Sequence, residues 1–284
     1  MPEAIGVIGG SGLQELDGLR KTKVHRVTTP YGRPSGPIVE GRLHGRTVLF
    51  LPRHGAGHRL LPSEVNYAAN VYALKKLGAR SVLGVSAVGS LQQRLAPGHF
   101  VLVDQFVDRT KGRRRATFFG EGCVGHVSMA EPVCAGLSRQ VAAAAALLPV
   151  TLHDEGTYVC MEGPTFSTRA ESRANHEAGH DVIGMTNVPE AYLAREAGLC
   201  YCSVATVTDY DSWRQHEEGV SAAAAMAVLK QNVVHARALL EATIASFEPR
   251  PDCSCRTANQ LAVVTDPKAI PPRAKAALRV LLGT

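Results

Sequence analysis

The pattern that most narrows the fold is an alternation. Short apolar, β-branched runs that end in glycine or small polar residues give way to longer stretches with helical spacing, and that order belongs to α/β proteins. Strands are expected over residues 4–8, 47–52, 81–88, 100–106, 157–161, 181–185 and 199–207. Helices are expected over 63–77, 132–148, 167–178, 189–197 and 221–247. Several of them open after Ser or Pro and stop at Gly78, Gly179 or Gly198, as capping chemistry requires. Residues 248–266 are rich in Pro and Cys and read as a linker to a last helix over 272–282. No repeat, low-complexity tract or second domain boundary stands out.

Composition excludes several classes. The longest apolar run, from Val141 to Val150, has ten residues, too few to cross a bilayer. The first residues carry neither a basic leader nor a small-residue cleavage site, so a cytoplasmic protein without membrane contact is expected. The net charge of +6 suits a small anionic substrate. Only Lys111-Gly-Arg-Arg-Arg115 forms a compact basic cluster, and without interleaved aromatics it reads as a solvated loop rather than a nucleic-acid contact. The seven cysteines do not form a secreted disulfide framework. Cys123, Cys134, Cys160, Cys200 and Cys202 read as small core residues. Cys253-Ser-Cys255 has no second pair at zinc spacing, so no metal is expected there; a disulfide within it or tethering the tail is the other reading.

Three strand ends have the chemistry of an anion site. Gly9-Gly10-Ser11-Gly12 follows the first strand, where a glycine-rich turn exposes backbone N–H groups and Ser11 adds a hydroxyl. It lacks the Gly-Lys-Ser/Thr of a P-loop and the third glycine of a dinucleotide fingerprint; a plain tight turn remains the alternative. Leu51-Pro-Arg-His-Gly55 offers the forked donors of Arg53 and a further donor in His54. Ser86-Ala87-Val88-Gly89-Ser90 lets the backbone approach a ligand closely. Together they describe a crevice at the carboxyl ends of strands.

His176-Glu-Ala-Gly-His180 matches the zinc-protease pattern by letter, but Gly179 reads as a helix terminator that would put His180 off the helical face. Thr208-Asp209-Tyr210-Asp211-Ser212-Trp213 closes a near-continuous apolar strand. It is either a helix cap facing water or an aspartate pair facing a heterocycle, in which like charges would raise one pKa.

These segments, with Pro62-Ser-Glu-Val-Asn-Tyr67, Glu162-Gly-Pro-Thr-Phe-Ser-Thr-Arg-Ala-Glu171 and Gly184-Met-Thr-Asn-Val-Pro-Glu190, resemble the trimeric purine-nucleoside phosphorylase family over about residues 5–247. The resemblance implies one α/β domain over 1–247, a mixed central β-sheet surrounded by helices, with 248–284 as linker and C-terminal helix packing on it. It implies a homotrimer, and phosphate-dependent cleavage of a purine nucleoside, 5′-methylthioadenosine in the members it most resembles. Inorganic phosphate is then a co-substrate, and no cofactor or metal is needed. Carried over by motif, phosphate would meet Ser11, Arg53, His54, Ser86, Ala87 and Thr186. The Met185 backbone would meet the ribose and Phe166 the sugar and base. Asp209, Tyr210 and Asp211 would lie at adenine, with Asp209 as general acid, and His126 would reach in from a neighbouring subunit. Ser167 and Asp209, where 6-oxopurine enzymes of the family carry Glu and Asn, favour a 6-aminopurine; a 6-oxopurine or methylthioinosine enzyme is the alternative. Ala222 and Ala225, beside Met226, imply a roomy apolar pocket for the 5′-substituent.

Overall fold

Apolar runs that alternate between two buried faces form the centre of the molecule, seen in a computed structural model that describes residues 3–10, 12–13, 15–16, 18–214 and 222–282, without the side chains of 222–225. The strands are β1 (Ala4–Gly9), β2 (Arg20–His25), β3 (Ile38–Leu43), β4 (Arg46–Pro52), β5 (Ala79–Ser90), β6 (Phe100–Val103), β7 (Gln105–Arg109), β8 (Leu152–His153), β9 (Thr157–Met161), β10 (Val182–Gly184) and β11 (Cys200–Tyr210). The helices are α1 (Tyr67–Lys76), α2 (Ala135–Ala145), α3 (Arg169–Glu177), α4 (Asn187–Glu196), α5 (Ala222–Ala245) and α6 (Pro272–Leu282). In β1, Ala4 and Ile8 face the cluster that includes Leu74 of α1, Leu193 of α4 and Leu278 of α6. Ile5 and Val7 face the other cluster, with Leu137 of α2 and Leu239 of α5. The two-residue period of a strand thus gives a single mixed sheet with helices on both faces, as expected.

Strand order aligns the predicted strand ends. β4, β1, β5 and β11 run parallel and adjacent, so their carboxyl ends align. Along one edge β5 pairs with β1 only as far as Gly84, and with the antiparallel β10 only from Gly89. Residues 85–88 therefore present a strand edge without a partner strand among the described residues. β11 pairs along the opposite edge of β5, and a register shift between Val207 and Asp209 makes a bulge that re-aims its last residues.

Some boundaries differ from expectation for local reasons. The expected strand 100–106 is two strands: β6 pairs β11 and β8, and β7 pairs β9. Asp104, whose carboxylate accepts from the Gly156 N–H at 3.0 Å, sits between them. α1 begins at Tyr67 rather than 63 because the Asn66 side chain caps it by accepting from the Ala69 N–H. α3 opens on a capping box between Thr168 and Glu171. β2, β3 and β8 were not foreseen; β2 (Arg20-Lys-Thr-Lys-Val-His25) is a charged edge strand with no apolar alternation. Residues 248–266 are not a free linker. Cys255, Asn259 and Ala262 are buried, and the Asn259 amide donates to the Glu196 and Leu281 carbonyls.

Candidate active site

Gly9 leaves β1 with its carbonyl accepting the Arg53 N–H at 2.9 Å, which brings the first two predicted strand ends together. Gly12 has φ +104, and its carbonyl accepts from Arg237 of α5 at 2.7 Å. Ser11 lies outside the described residues.

Arg53 is oriented differently from the sequence reading. Its side chain is buried, and Nε and Nη2 donate to the two Glu190 carboxylate oxygens, both at 2.7 Å. Nη1 donates to the Val85 carbonyl at 2.7 Å and Nη2 to Ile8 at 3.3 Å. The fork that would clamp phosphate therefore holds Glu190, leaving one Nη1 hydrogen for another acceptor. Burial works against the Arg53 charge, but Glu190 outweighs it and holds the guanidinium above its ordinary pKa. The Tyr201 hydroxyl donates to the same carboxylate at 2.9 Å, and Gly84 leaves room for this meeting, since a Cβ there would collide with the Tyr201 hydroxyl.

His54 is also corrected. Its Nδ1 lies 2.9 Å from the Leu60 carbonyl, and its ring stacks on His58 at 4.2 Å. Burial pushes its pKa down to about 4. A carbonyl only accepts, so Nδ1 carries the proton of a neutral ring and Nε2 is an acceptor rather than the donor expected.

Ser86 and Ala87 lie on the open stretch of β5, Ser86 buried and Ala87 exposed. The Ser86 hydroxyl donates to the Asn187 amide oxygen at 3.3 Å, and the Asn187 amide donates to the Ser203 hydroxyl. Met185 and Thr186 follow β10, whose pairing with β5 runs over Val182–Ser90 and Ile183–Gly89. Thr186 is buried and donates its N–H to the Tyr158 hydroxyl at 3.3 Å.

At the bulged end of β11 the Thr208 hydroxyl donates to Asp209 at 2.6 Å. Burial pushes the Asp209 carboxyl up, the Thr208 hydrogen bond works against it, and Asp211 adds a further upward push. Desolvation, not the like-charge pairing expected, is the main cause. Asp211 is buried, and its Oδ2 has no hydrogen-bond partner. Gly89 lies beneath both, where a Cβ would come 3.2 Å from Asp209 Oδ1 and 3.3 Å from Asp211 Cβ. Tyr210 points away, its hydroxyl donating to the Gln93 carbonyl at 3.2 Å.

The remaining predicted residues are peripheral in one chain. Phe166 is 79% exposed and Met226 52% exposed. Ser167 donates to the Met161 sulfur at 3.8 Å. His126 lies on the surface with its N–H bonded to the Ala262 carbonyl at 2.8 Å. The side chains of Ala222 and Ala225 fall outside the described residues.

Two readings of charge and metal are settled by packing. Lys111–Arg115 is not wholly a solvated loop, because Arg114 is buried. It donates to the Met185 carbonyl at 2.6 Å, the Val188 carbonyl at 2.9 Å and the Glu162 carbonyl at 2.7 Å, and pairs with the Glu162 carboxylate at 3.2 Å. It fixes the Met185 backbone, a role that a run of five basic and glycine residues does not reveal. His176 of the protease-like motif is engaged by protein: its Nδ1 faces the Leu91 carbonyl at 2.7 Å, and its ring stacks on Trp213 at 4.0 Å. α3 ends at Glu177 and Gly179 has φ +78, so His180 leaves the helical face as expected.

The sequence pattern of the Phosphorylase superfamily matches residues 4–245. An S-methyl-5′-thioadenosine phosphorylase of Geobacter sulfurreducens is 50% identical over 284 residues, covering 100% of this chain and 99% of the relative. One from Hyperthermus butylicus is 48% identical over 264 residues, 92% of this chain and 95% of the relative. A methylthioadenosine phosphorylase from an Antarctic soil metagenomic library has a solved structure that superposes with a TM-score of 0.92 at 46% identity, covering 99% of both chains. The Schistosoma mansoni enzyme solved with adenine superposes at 0.81 and 42% identity, over 86% of this chain and 91% of that one.

Proposed function

From the premise that the chain belongs to the phosphorylase superfamily, we infer that it cleaves the N-glycosidic bond of 5′-methylthioadenosine with inorganic phosphate, giving adenine and 5-methylthioribose 1-phosphate. The relatives named as phosphorylases of this nucleoside support the substrate. The observation that carries the chemistry is the aspartate pair at the bulged end of β11. Asp209 is poised to hold a proton, and Asp211 has a buried oxygen awaiting a donor.

Bond breaking leaves positive charge on the ribose and negative charge on the purine. Protonated Asp209 gives its proton to N7 as the C1′–N9 electrons pass to the base. Asp211 accepts from the 6-amino group through Oδ2. Phosphate lies against the open edge of β5, taking the Ala87 and Thr186 region, the turn around Gly10 and Ser11, and the last Nη1 hydrogen of Arg53. It binds as monohydrogen phosphate, whose P–OH donates to His54 Nε2. A phosphate oxygen bonds to C1′ as the bond to N9 breaks. The proton lost by phosphate equals the one adenine gains, and Asp209 is reprotonated before the next turnover. Met185, held by Arg114, faces the ribose.

Residues 1–247 act as the phosphorylase domain of a cytoplasmic homotrimer, in which Phe166 closes over the base and His126 of one subunit serves the next. The pocket for the 5′-substituent is lined by Ala222, Ala225 and Met226, with Ser167 near the base. Purified protein should release adenine from 5′-methylthioadenosine only with phosphate, faster than hypoxanthine from inosine. Turnover without phosphate, or preference for inosine, would overturn the assignment.

A further inference from the structure

At the other end of β11 lies a side-chain cluster that the reaction does not use. The sulfurs of Cys134, Cys200, Cys253 and Cys255 all lie within 4.8 Å of one another. Among the described residues no other group of three or more His, Cys, Asp or Glu side chains converges in this way. Cys134 is the residue before α2, Cys200 opens β11, and Cys253 precedes a short 3-10 turn (Ser254–Thr257) that contains Cys255. Three of the four are buried and Cys253 is half-buried.

Four thiols packed as small core residues would have no reason to aim at one point. Four zinc–sulfur bonds of about 2.3 Å set tetrahedral sulfurs about 3.8 Å apart, and Cys134 and Cys253 stand at 3.6 Å. One or two disulfides would draw the sulfurs into bonded pairs about 2.05 Å apart, whereas all four are free thiols here. One tetrahedral ion uses all four. The surroundings suit the resulting negative charge: Arg195 Nη1 lies 3.4 Å from Cys255 Sγ, Arg256 lies near Cys200 and Cys253, and Lys75 lies near Cys200. Cys134 is also the N-cap of an eleven-residue helix, whose dipole favours a thiolate there.

We propose that Cys134, Cys200, Cys253 and Cys255 form a closed tetrathiolate site for a structural zinc ion, which fastens the C-terminal segment to the start of β11. All-sulfur tetrahedral ligation selects zinc or iron among common metals, and a site with no open position is structural rather than catalytic. Binding one Zn²⁺ releases the thiol protons and involves no redox change. Asp209 lies nine steps along the strand from Cys200, roughly 30 Å, so the ion takes no part in phosphorolysis.

The test uses the untagged full chain, purified without oxygen. Elemental analysis should find about one zinc per chain, as a closed four-ligand site requires. Chelator-stripped protein titrated with Co²⁺ should take up one ion, with thiolate-to-cobalt charge transfer and the absorption of tetrahedral cobalt. Cys253→Ser/Cys255→Ser should lose metal and spectrum but keep phosphorolysis at 25 °C; Cys123→Ser should keep all three. Metal-free wild-type protein that takes up no cobalt would overturn the proposal, even if the double variant fails to fold. So would a disulfide among these four found by non-reducing mass spectrometry, or metal retained by the double variant.

Discussion

At its first residue β11 sets Cys200 among three other sulfurs, in a cluster whose members face one another. At its other end the same strand carries Asp209 and leads into Asp211, both over Gly89 of β5, with one Asp211 oxygen left without a partner. Both ends bury groups that chemistry could use, and both lie on one strand. At the far end every reactive atom points to a neighbour in the same chain. At the near end, acceptor capacity on Asp211 Oδ2 is left over for something that is not protein. Leftover capacity in buried polar groups costs stability, so a fold retains it where a ligand satisfies it. Changes at the near end should therefore alter chemistry more than folding, and changes at the far end the reverse.

The sharpest test of that contrast is Asp209→Asn. An amide cannot protonate N7, so kcat on 5′-methylthioadenosine should fall by about 10²–10⁴, while preference shifts toward 6-oxopurines, whose O6 an amide can face as donor. Its folding should respond in the opposite sense. The carboxyl of Asp209 is raised, so the folded chain holds a proton that the unfolded chain has released, and that contribution to stability is lost as pH rises through the folded value. Asn has no such loss. Thermal unfolding against pH should show the variant gaining on wild type from acid to neutral. Wild-type kcat in Asp209→Asn would break the comparison, making this strand end a cap.

Glu190 lies where the contrast should fail. It is buried and holds Arg53, the cation proposed to meet phosphate. Glu190→Gln leaves Arg53 buried with an unbalanced charge, which destabilises by about 3–5 kcal/mol. Saturating phosphate should then raise the melting temperature of the variant more than that of wild type, because the anion replaces the lost carboxylate. Equal shifts would mean that Arg53 does not reach the phosphate at all.

Asp211→Ala should act on binding. Removing one acceptor for the 6-amino group should raise KM for 5′-methylthioadenosine about tenfold, near 1.4 kcal/mol, with a smaller change in kcat. Steady-state kinetics on both bases separate the two aspartates; equal losses in kcat would make them a single unit.

How much of this could be read in the chain depends on whether partners are near in sequence or only in space. The apolar runs of β1, β4, β5, β9 and β11 announced themselves, because burial on both faces demands a continuous hydrophobic string. β2 carried no such string, since an edge strand needs none. Strand ends with Gly9–Gly10, Arg53 and Asp209 were legible as candidates, because small and charged residues after a buried strand are conspicuous. What Arg53 does there was not legible: its partner Glu190 is 137 residues away, and only the fold shows that the fork is taken. Arg114 was hidden in a basic run whose other arginines are exposed. The four cysteines were hidden for the same reason, since only Cys253 and Cys255 are close along the chain, while Cys134 and Cys200 come from different elements.

The smallest expected effect concerns His54, and it tests whether the near end keeps an acceptor free. Held neutral by burial, His54 has a folded pKa of about 4 against an ordinary value of 6.5. Between those limits the unfolded chain takes up a proton that the folded chain refuses. The contribution of His54 to stability is thus complete above pH 6.5 and is lost as pH falls from there toward 4. His54→Asn retains an amide N–H for the Leu60 carbonyl but does not titrate. Its melting temperature should fall less steeply than wild type over that window. Phosphate adds a second sign to the same measurement. An anion beside Nε2 favours the imidazolium and lifts the folded pKa, so the wild-type slope should flatten with bound phosphate and the variant slope should not. If phosphate leaves the wild-type slope unchanged, Nε2 does not face the anion. The open edge of β5 would then bind phosphate through backbone N–H groups and Arg53 alone.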